Sequence, residues 1–372
     1  MGELAKIDSF RREVAIAESI EEMQLLTIKG DLLAEMARKL EIPLKGQNVL
    51  GRTRVELAAK LREVIEVKFP KGGDRKSKSK DLTLILTDAG ITKNESSDAK
   101  IIKEEEEIVE VVMNEIEKEK DIITPKKVAA KVRKKKKEIK KKGHEKISNS
   151  LDVISNISPD LVNIKSGWHK IGNQLLYCGS NLDLEFINHL PHCKFAFADP
   201  PYNAGVAEWD SNFKWQHDYI QDISDVIAVT PGGWNTFNFY NETKMNYIWE
   251  MACWIKNGMT HGKCGFANFI KTSIFSKYKV KIPQDFWEIS IKTNETEDTN
   301  HKGRKPYNFM IHLIDLFSSK GDSIIDLFAG SGTTLLISEK MERISYNAEI
   351  NIYFCNEIIR RGIKLGMKYE QL

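Results

Sequence analysis

The sequence predicts an α/β domain on a mostly parallel sheet, preceded by an all-α N-terminal domain. Three observations predict it. Apolar residues recur at three- and four-residue spacing through residues 11–68, with no strand-like alternation among them. From about residue 167 the texture changes to short apolar runs alternating with helical stretches, which implies βαβ units. Between the two lies a dense block of like charge, Lys126 to Lys142. The chain of 372 residues is long enough for two or three domains. The expected division is a helical domain over 1–125, a lysine-rich helix and linker over 126–165, and the α/β domain over 166–372.

The net charge is only +3, but the 56 basic and 53 acidic residues lie in blocks. The five cysteines (178, 193, 253, 264 and 355) show no C-x-x-C spacing. That speaks against a zinc site or a disulfide framework and fits a reducing compartment. The N-terminus has no apolar signal core, and no run approaches the ~20 apolar residues of a membrane span. A soluble cytoplasmic protein without a metal or a membrane partner is expected.

In chain order, AIAESIEEMQLL and VELAAKLREVIEV read as amphipathic helices. A polar loop follows, Lys71 to Ser77, carrying Arg75 and Lys76. Residues 82–102 have the outline of a helix-turn-helix. A short apolar helix ends at Ala89-Gly90, Ile91 plugs the corner, and Thr92 with Glu95 forms a capping box for a second helix. Asn94, Ser96 and Ser97 stand where a recognition helix touches a groove. A plain helical hairpin fits the same pattern. The lysine run, including Lys134 and Lys135, reads first as a solvated helix or linker, and it also suits phosphate neutralisation. Periodicity is lost between roughly 143 and 165.

In the α/β part, strand candidate Leu175–Cys178 is followed by a helix over 182–190 and by the apolar run Phe195–Ala198. That run ends in Asp199-Pro200-Pro201-Tyr202. Each proline fixes φ and removes an N–H, so the carbonyls of the turn point outward instead of joining a ladder. The acid and those carbonyls can accept from an exocyclic amine, and the ring can stack on a flat heterocycle. An ordinary proline turn is the bland alternative.

The second segment is Asp326-Leu327-Phe328-Ala329-Gly330-Ser331-Gly332-Thr333-Thr334, between strand candidate Ser323–Ile325 and the helix LLISEKM. Glycines at a strand-to-helix turn let backbone approach a ligand closely, with helix N–H groups aimed at it. The loop lacks the lysine of a P-loop and the third glycine of the dinucleotide fingerprint. Glu349, at the end of the next strand candidate, can hold both ribose hydroxyls of an adenosine.

Together, FAGSG and DPPY resemble the amino-methyltransferase family, which transfers a methyl group from S-adenosylmethionine to the exocyclic nitrogen of adenine or cytosine in DNA. The tetrapeptide precedes the glycine loop, an order similar to the family's β group, whose Rossmann-like sheet is circularly permuted. Too few residues follow Thr334 to supply the catalytic strand as well. Joining the C-terminus notionally to residue 170 restores an uninterrupted αβα order and brings the two motifs to neighbouring strand ends. The resemblance covers roughly 165–372.

It implies catalytic roles for Asp199, Pro200, Pro201 and Tyr202. It implies cofactor contacts for Asp326, Phe328, Ala329, Gly330, Ser331, Gly332, Thr333 and Glu349. His301 to Pro306 is similar to the family's segment that closes over the methionine end of the cofactor, which brings in His301 and Lys305. Lys302 replaces the usual proline there. Val229 to Trp234 resembles a strand-entry turn, and Trp254–Asn257 and Asp285–Ile289 resemble later strands. Ser180 sits where the family commonly has an acid that helps bind adenosine.

The expected chemistry is direct N6 transfer to adenine in double-stranded DNA, with the base turned out of the stack. N4 transfer to cytosine is the alternative. Cytosine-C5 transfer needs a Pro-Cys nucleophile, and none of the ten prolines precedes a cysteine. A regulator with a degenerate methylase domain and an RNA or protein-amide methyltransferase are the remaining readings. Residues 258–284, with Lys271 and Lys277, are few for a sequence-reading domain. DNA contacts are therefore expected from residues 1–145, whose helices are faintly similar to plasmid-partition and phage DNA-binding domains. A homodimer or a separate restriction nuclease remains open as partner.

Overall fold

A computed structural model describes residues 3–68, 91–151, 164–203, 212–261, 265–291 and 304–372. The chain divides into two units at Lys142/Gly143. The first is helical: α1 (Glu3–Ile16), α2 (Ile20–Lys39), α3 (Leu44–Lys68), α4 (Lys93–Glu104), α5 (Glu106–Lys118) and α6 (Pro125–Leu151), the last crossing the division. Ser19 and Glu22 cap α2 reciprocally, and Thr92 and Glu95 cap α4 in the same way. The capping box expected at Thr92 therefore forms. Two apolar clusters fill this unit. One joins α1 to α3 through Phe10, Met23, Leu50 and Leu61. The other joins α3 to α6 through Val55, Ile102, Val112, Ile116 and Val132.

The lysine run lies on α6. Lys127, Lys131 and Lys135 recur every fourth residue and so share one stripe of the helix. That stripe meets acids of α5 and its exit: Lys127 pairs with Asp121 at 2.7 Å, Lys131 with Glu119 at 2.5 Å, and Lys135 with Glu115. Lys136 pairs with Glu105.

The second unit carries β1 (Gly167–Ile171), β2 (Gln174–Cys178), α7 (Leu184–His189), β3 (Cys193–Ala198), β4 (Ser224–Val229), α8 (Gly232–Glu242), β5 (Tyr247–His261), β6 (Gly265–Phe275) and β7 (Phe286–Ile289). It continues with α9 (Tyr307–Phe317), β8 (Ser323–Asp326), α10 (Thr333–Lys340), β9 (Ile344–Glu349), α11 (Ile352–Lys364) and β10 (Tyr369–Gln371). The strands form one sheet in the order β10-β1-β2-β9-β8-β3-β4-β6-β5-β7. The block β2-β9-β8-β3-β4 is parallel throughout, whereas β6 is antiparallel to both its neighbours. Successive residues of β3 serve opposite faces. Phe195 and Phe197 join the cluster under α9 to α11, and Ala196 and Ala198 the cluster with Phe186 and Phe239.

This is the α/β methyltransferase fold read from the sequence, in the permuted order. β8, which leads into the glycine loop, sits between β9 and β3, and β2 lies beyond β9. The notional joint at residue 170 has a physical counterpart, because β10 pairs antiparallel with β1 and sets Lys170 opposite Glu370. One local expectation changes. Val229 to Trp234 is not a strand-entry turn: β4 ends at Val229 and α8 begins at Gly232, so the segment leaves the sheet. The later strands fall where expected, Trp254–Asn257 within β5 and Phe286–Ile289 as β7. Among the described residues no helix is long and apolar enough to cross a membrane, and no metal-ligand cluster is found.

Candidate active site

Three parallel strands end side by side. In the registers, Phe197 of β3 lies opposite Asp326 of β8, and Asp326 lies opposite Asn347 of β9. The proline turn, the glycine loop and Glu349 therefore all leave the C-terminal edge of the sheet, where open α/β sheets bind ligands.

At the end of β3 the Asp199 carboxylate sits in a closed network. Its Oδ1 accepts from the Tyr202 hydroxyl at 2.6 Å and from the Thr230 hydroxyl at 2.6 Å. Its Oδ2 accepts from the Lys305 ammonium, which also donates to the Tyr202 hydroxyl at 2.6 Å. Thr230 is placed by its own N–H, which bonds the Ala198 carbonyl at 2.9 Å and continues the β3–β4 pairing past the strand end. The Lys305 side chain is 9% exposed and that of Asp199 18%. Burial works against the Lys305 charge, but the Asp199 carboxylate and the Tyr202 hydroxyl outweigh it and hold the ammonium above the ordinary lysine range. Burial raises the Tyr202 phenol, and the neighbouring Asp199 charge adds to it. One side of the Tyr202 ring is closed by Gly232. Its φ is +71°, and a Cβ there would fall 2.5 Å from the ring.

The glycine loop is tied to the same edge. The Phe328 N–H donates to Asp326 Oδ1 at 3.0 Å, the Ala329 N–H to the Ala348 carbonyl at 2.9 Å, and the Gly330 N–H to Glu349 Oε2 at 2.8 Å. Gly332 caps α10 in the left-handed region, φ +77°, and a Cβ would fall 2.7 Å from Ile358. Ser331 and Thr333 are buried, with their hydroxyls 3.3 Å apart. Beneath the loop, fully buried Arg361 donates to the Ser331 carbonyl and, at 2.8 Å, to the Tyr307 hydroxyl. Asn181 donates to the Leu327 carbonyl at 2.6 Å and bonds His217 at 2.8 Å. Burial depresses His217 to about 4, so it is neutral at physiological pH. Phe328 stands edge-on to both Phe213 and His217.

Burial pushes Asp326 up to about 6 and Glu349 up to about 7, the latter despite N–H donors from Asn351 and Gly330. The Asp199 charge adds to the shift at Asp326, and the Asp326 charge to that at Glu349. Lys305 bears on Asp326 and pairs with Asp199. Raised acids gathered at one edge suit a cationic ligand. S-adenosylmethionine, a sulfonium with ribose hydroxyls, fits these residues: Glu349 would hold the ribose hydroxyls, and the glycine loop would let the ligand approach the backbone closely.

The structure brings together most of the residues expected from the sequence. Asp199, Tyr202, Asp326, Phe328, Ala329, Gly330, Ser331, Gly332, Thr333 and Glu349 line one edge. Lys305 was expected at the cofactor, and its ammonium lies on Asp199 and Tyr202 instead. Ser180 does not face the loop through a charge. Its N–H donates to Asp183 Oδ2 at 3.1 Å and its hydroxyl accepts from Leu182, so it closes a turn in which Asp183 is the acid. Thr230, Arg361 and Asn181 were not anticipated. Only Thr230 left a signal, in the Val-Thr-Pro-Gly-Gly turn after β4.

The expected DNA contacts are scattered. Asn94 is exposed on α4 and Ser96 half-buried, while Ser97 accepts from Arg133 at 3.1 Å. Lys134 is exposed, and Lys135 pairs with Glu115. Lys271 lies 3.9 Å from Glu250 and over the Tyr240 ring, and Lys277 pairs with Asp222. Arg75, Lys76, the first helix of the helix-turn-helix outline and His301 lie outside the described residues.

Residues 238–360 match the family model described as DNA methylase. This bears out the resemblance drawn from the two motifs. The matched span holds the glycine loop and Glu349, and the tetrapeptide lies ahead of it. The chain is 32% identical over 111 residues to type II methyltransferase M.HindIII of Haemophilus influenzae, covering 28% of this chain and 30% of the relative. It is 23% identical over 225 residues to type II methyltransferase M1.MboII of Moraxella bovis, covering 44% of this chain and 86% of the relative. The match thus spans less than a third of M.HindIII and most of M1.MboII. Among solved structures, the M1.HpyAVI–SAM complex is similar at 17% identity and TM-score 0.40, over 50% of this chain and 98% of that one. The cytosine-N4-specific PvuII DNA methyltransferase is similar at 16% identity and TM-score 0.39, over 51% of this chain and 89% of that one.

Proposed function

We propose that the protein is a DNA amino-methyltransferase that uses S-adenosylmethionine, with adenine N6 as the favoured target. The observation that carries this reading is the Asp199 carboxylate at the end of β3, one strand away from a glycine loop backed by Glu349. S-adenosylmethionine, when bound, supplies an electrophilic methyl group on a sulfonium that departs as a neutral thioether. The target base leaves the duplex stack at a cost of a few kcal/mol. Asp199 accepts a hydrogen bond from the base's NH₂ and turns the nitrogen lone pair toward the methyl group. Tyr202 offers a ring face for the turned-out base. The nitrogen gains the methyl carbon and releases one proton to solvent. No covalent enzyme intermediate is needed, and the rate comes from orientation and from charge placed ahead of the reaction.

Adenine is favoured over cytosine because aspartate leads the tetrapeptide, as it does in adenine-specific relatives of the family. The helical unit is assigned DNA contact, through α4 and the exposed lysines of α6. Transfer of labelled methyl to duplex DNA tests the reading. Asp199→Ala should keep cofactor binding and lose transfer by about 10²-fold or more. Retained turnover in Asp199→Ala would sink the assignment.

A further inference from the structure

Resting on the methyltransferase reading above, we propose that Lys305 is the positioning residue of Asp199, fixing the carboxylate so that a single acceptor position remains for the target amine. A carboxylate offers about four lone-pair positions. Two on Oδ1 are taken by the Tyr202 and Thr230 hydroxyls and one on Oδ2 by the Lys305 ammonium. Among the described residues, the position left is on Oδ2, beside the ammonium. One vacancy accepts one N–H, which fixes how the amino group is turned and where its lone pair points.

The ammonium also sets the polarity of that position. The ammonium lies against Oδ2, so the charge of the pair is balanced at the place where the amine needs an acceptor. Paired with Lys305, Asp199 presents an acceptor to the amine and fixes its orientation. The charged or titratable groups around the pair are Tyr202 from the same turn and Asp326 at the end of β8. Among the described residues, the turn after β4 contributes the neutral Thr230 hydroxyl. Lys305 enters this network from the segment just ahead of α9, so the contact between the proline turn and that segment runs through the acid itself.

The full-length protein is assayed in single turnover on duplex DNA at saturating S-adenosylmethionine across pH 5.5–8.5, with cofactor affinity measured separately. Lys305→Met should lower the transfer rate by about 100-fold, leave cofactor affinity within a factor of about 3, and add an acid limb to the pH profile. Lys305→Arg should keep most of the rate and show no such limb. Asp199→Asn combined with Lys305→Met buries no lone charge, and it should be no slower than Asp199→Asn alone. An unchanged rate and pH profile in Lys305→Met would overturn the proposal. So would a defect confined to cofactor affinity, or a further 100-fold loss when Lys305→Met is added to Asp199→Asn. A wild-type protein that transfers no methyl to DNA would fail at the proposed function instead, and take this inference with it.

Discussion

Each acid at the sheet edge owes its character to a different neighbour. Asp199 is met by an ammonium and two hydroxyls, whereas Glu349 is met by backbone N–H groups while burial raises it to about 7. The sign of the consequence follows. A carboxyl whose folded value is raised contributes stability that is present below its unfolded value and lost as pH rises through the folded one. Glu349 and Asp326 therefore make the ligand-free protein less stable as pH climbs through 6 to 7. A bound cation opposes this by favouring the ionised acids. The rise in melting temperature on adding S-adenosylmethionine should accordingly grow from pH 5.5 to pH 8, and Glu349→Gln should flatten that growth. A pH-independent shift in the wild type would contradict the assignment. At this scale the sequence was legible where a residue's position depends on its own strand, as for Asp199 and Glu349 at their strand ends. It was not legible where the role depends on what the sheet brings alongside. Lys305 is far from Asp199 in sequence, and only packing puts its ammonium there.

Elements were legible wherever periodicity or punctuation was strong. The capping box at Thr92, the strand before the tetrapeptide and the strand before the glycine loop all lie where the pattern set them, because capping and apolar runs are local signals. The turn after Val229 was assigned the wrong sense, since a proline-glycine turn marks a boundary without saying which side holds the strand. The acid stripe on α5 was also hidden, because pairing with α6 depends on helix facing and not on composition. One buried side chain holds the helical unit together at such a facing. Asn48 of α3 donates to the Asp121 carbonyl at 3.1 Å and accepts from the Ile123 N–H at 2.9 Å, bridging the α5–α6 connection. Asn48→Ala leaves both groups unpaired in a buried place. It should destabilise the helical unit by about 1–3 kcal/mol in denaturant unfolding, and a change below about 0.5 kcal/mol would show that the bridge is dispensable.

For the whole molecule, the permuted order was legible from the order of the two motifs, because the tetrapeptide precedes the glycine loop. The pairing of β10 with β1 is the structural form of that argument. The division of labour between the units is less visible, because several candidate lysines are already paired with acids. If the helical unit carries DNA contacts, a chain beginning near residue 160 should bind duplex DNA more weakly. It should also show a shallower dependence of affinity on salt, by roughly one in log–log slope for each phosphate that is no longer neutralised. Equal affinity and equal methylation by the shortened chain would reverse the assignment. The central claim, methyl transfer to an amino group in DNA at the Asp199 site, is tested most directly by modification-sensitive sequencing of DNA from cells expressing the protein or its Asp199→Ala variant. The account predicts N6-methyladenine in a defined sequence context with the wild type and none with the variant. DNA free of amino-methylated bases, or equal methylation with both proteins, would contradict it.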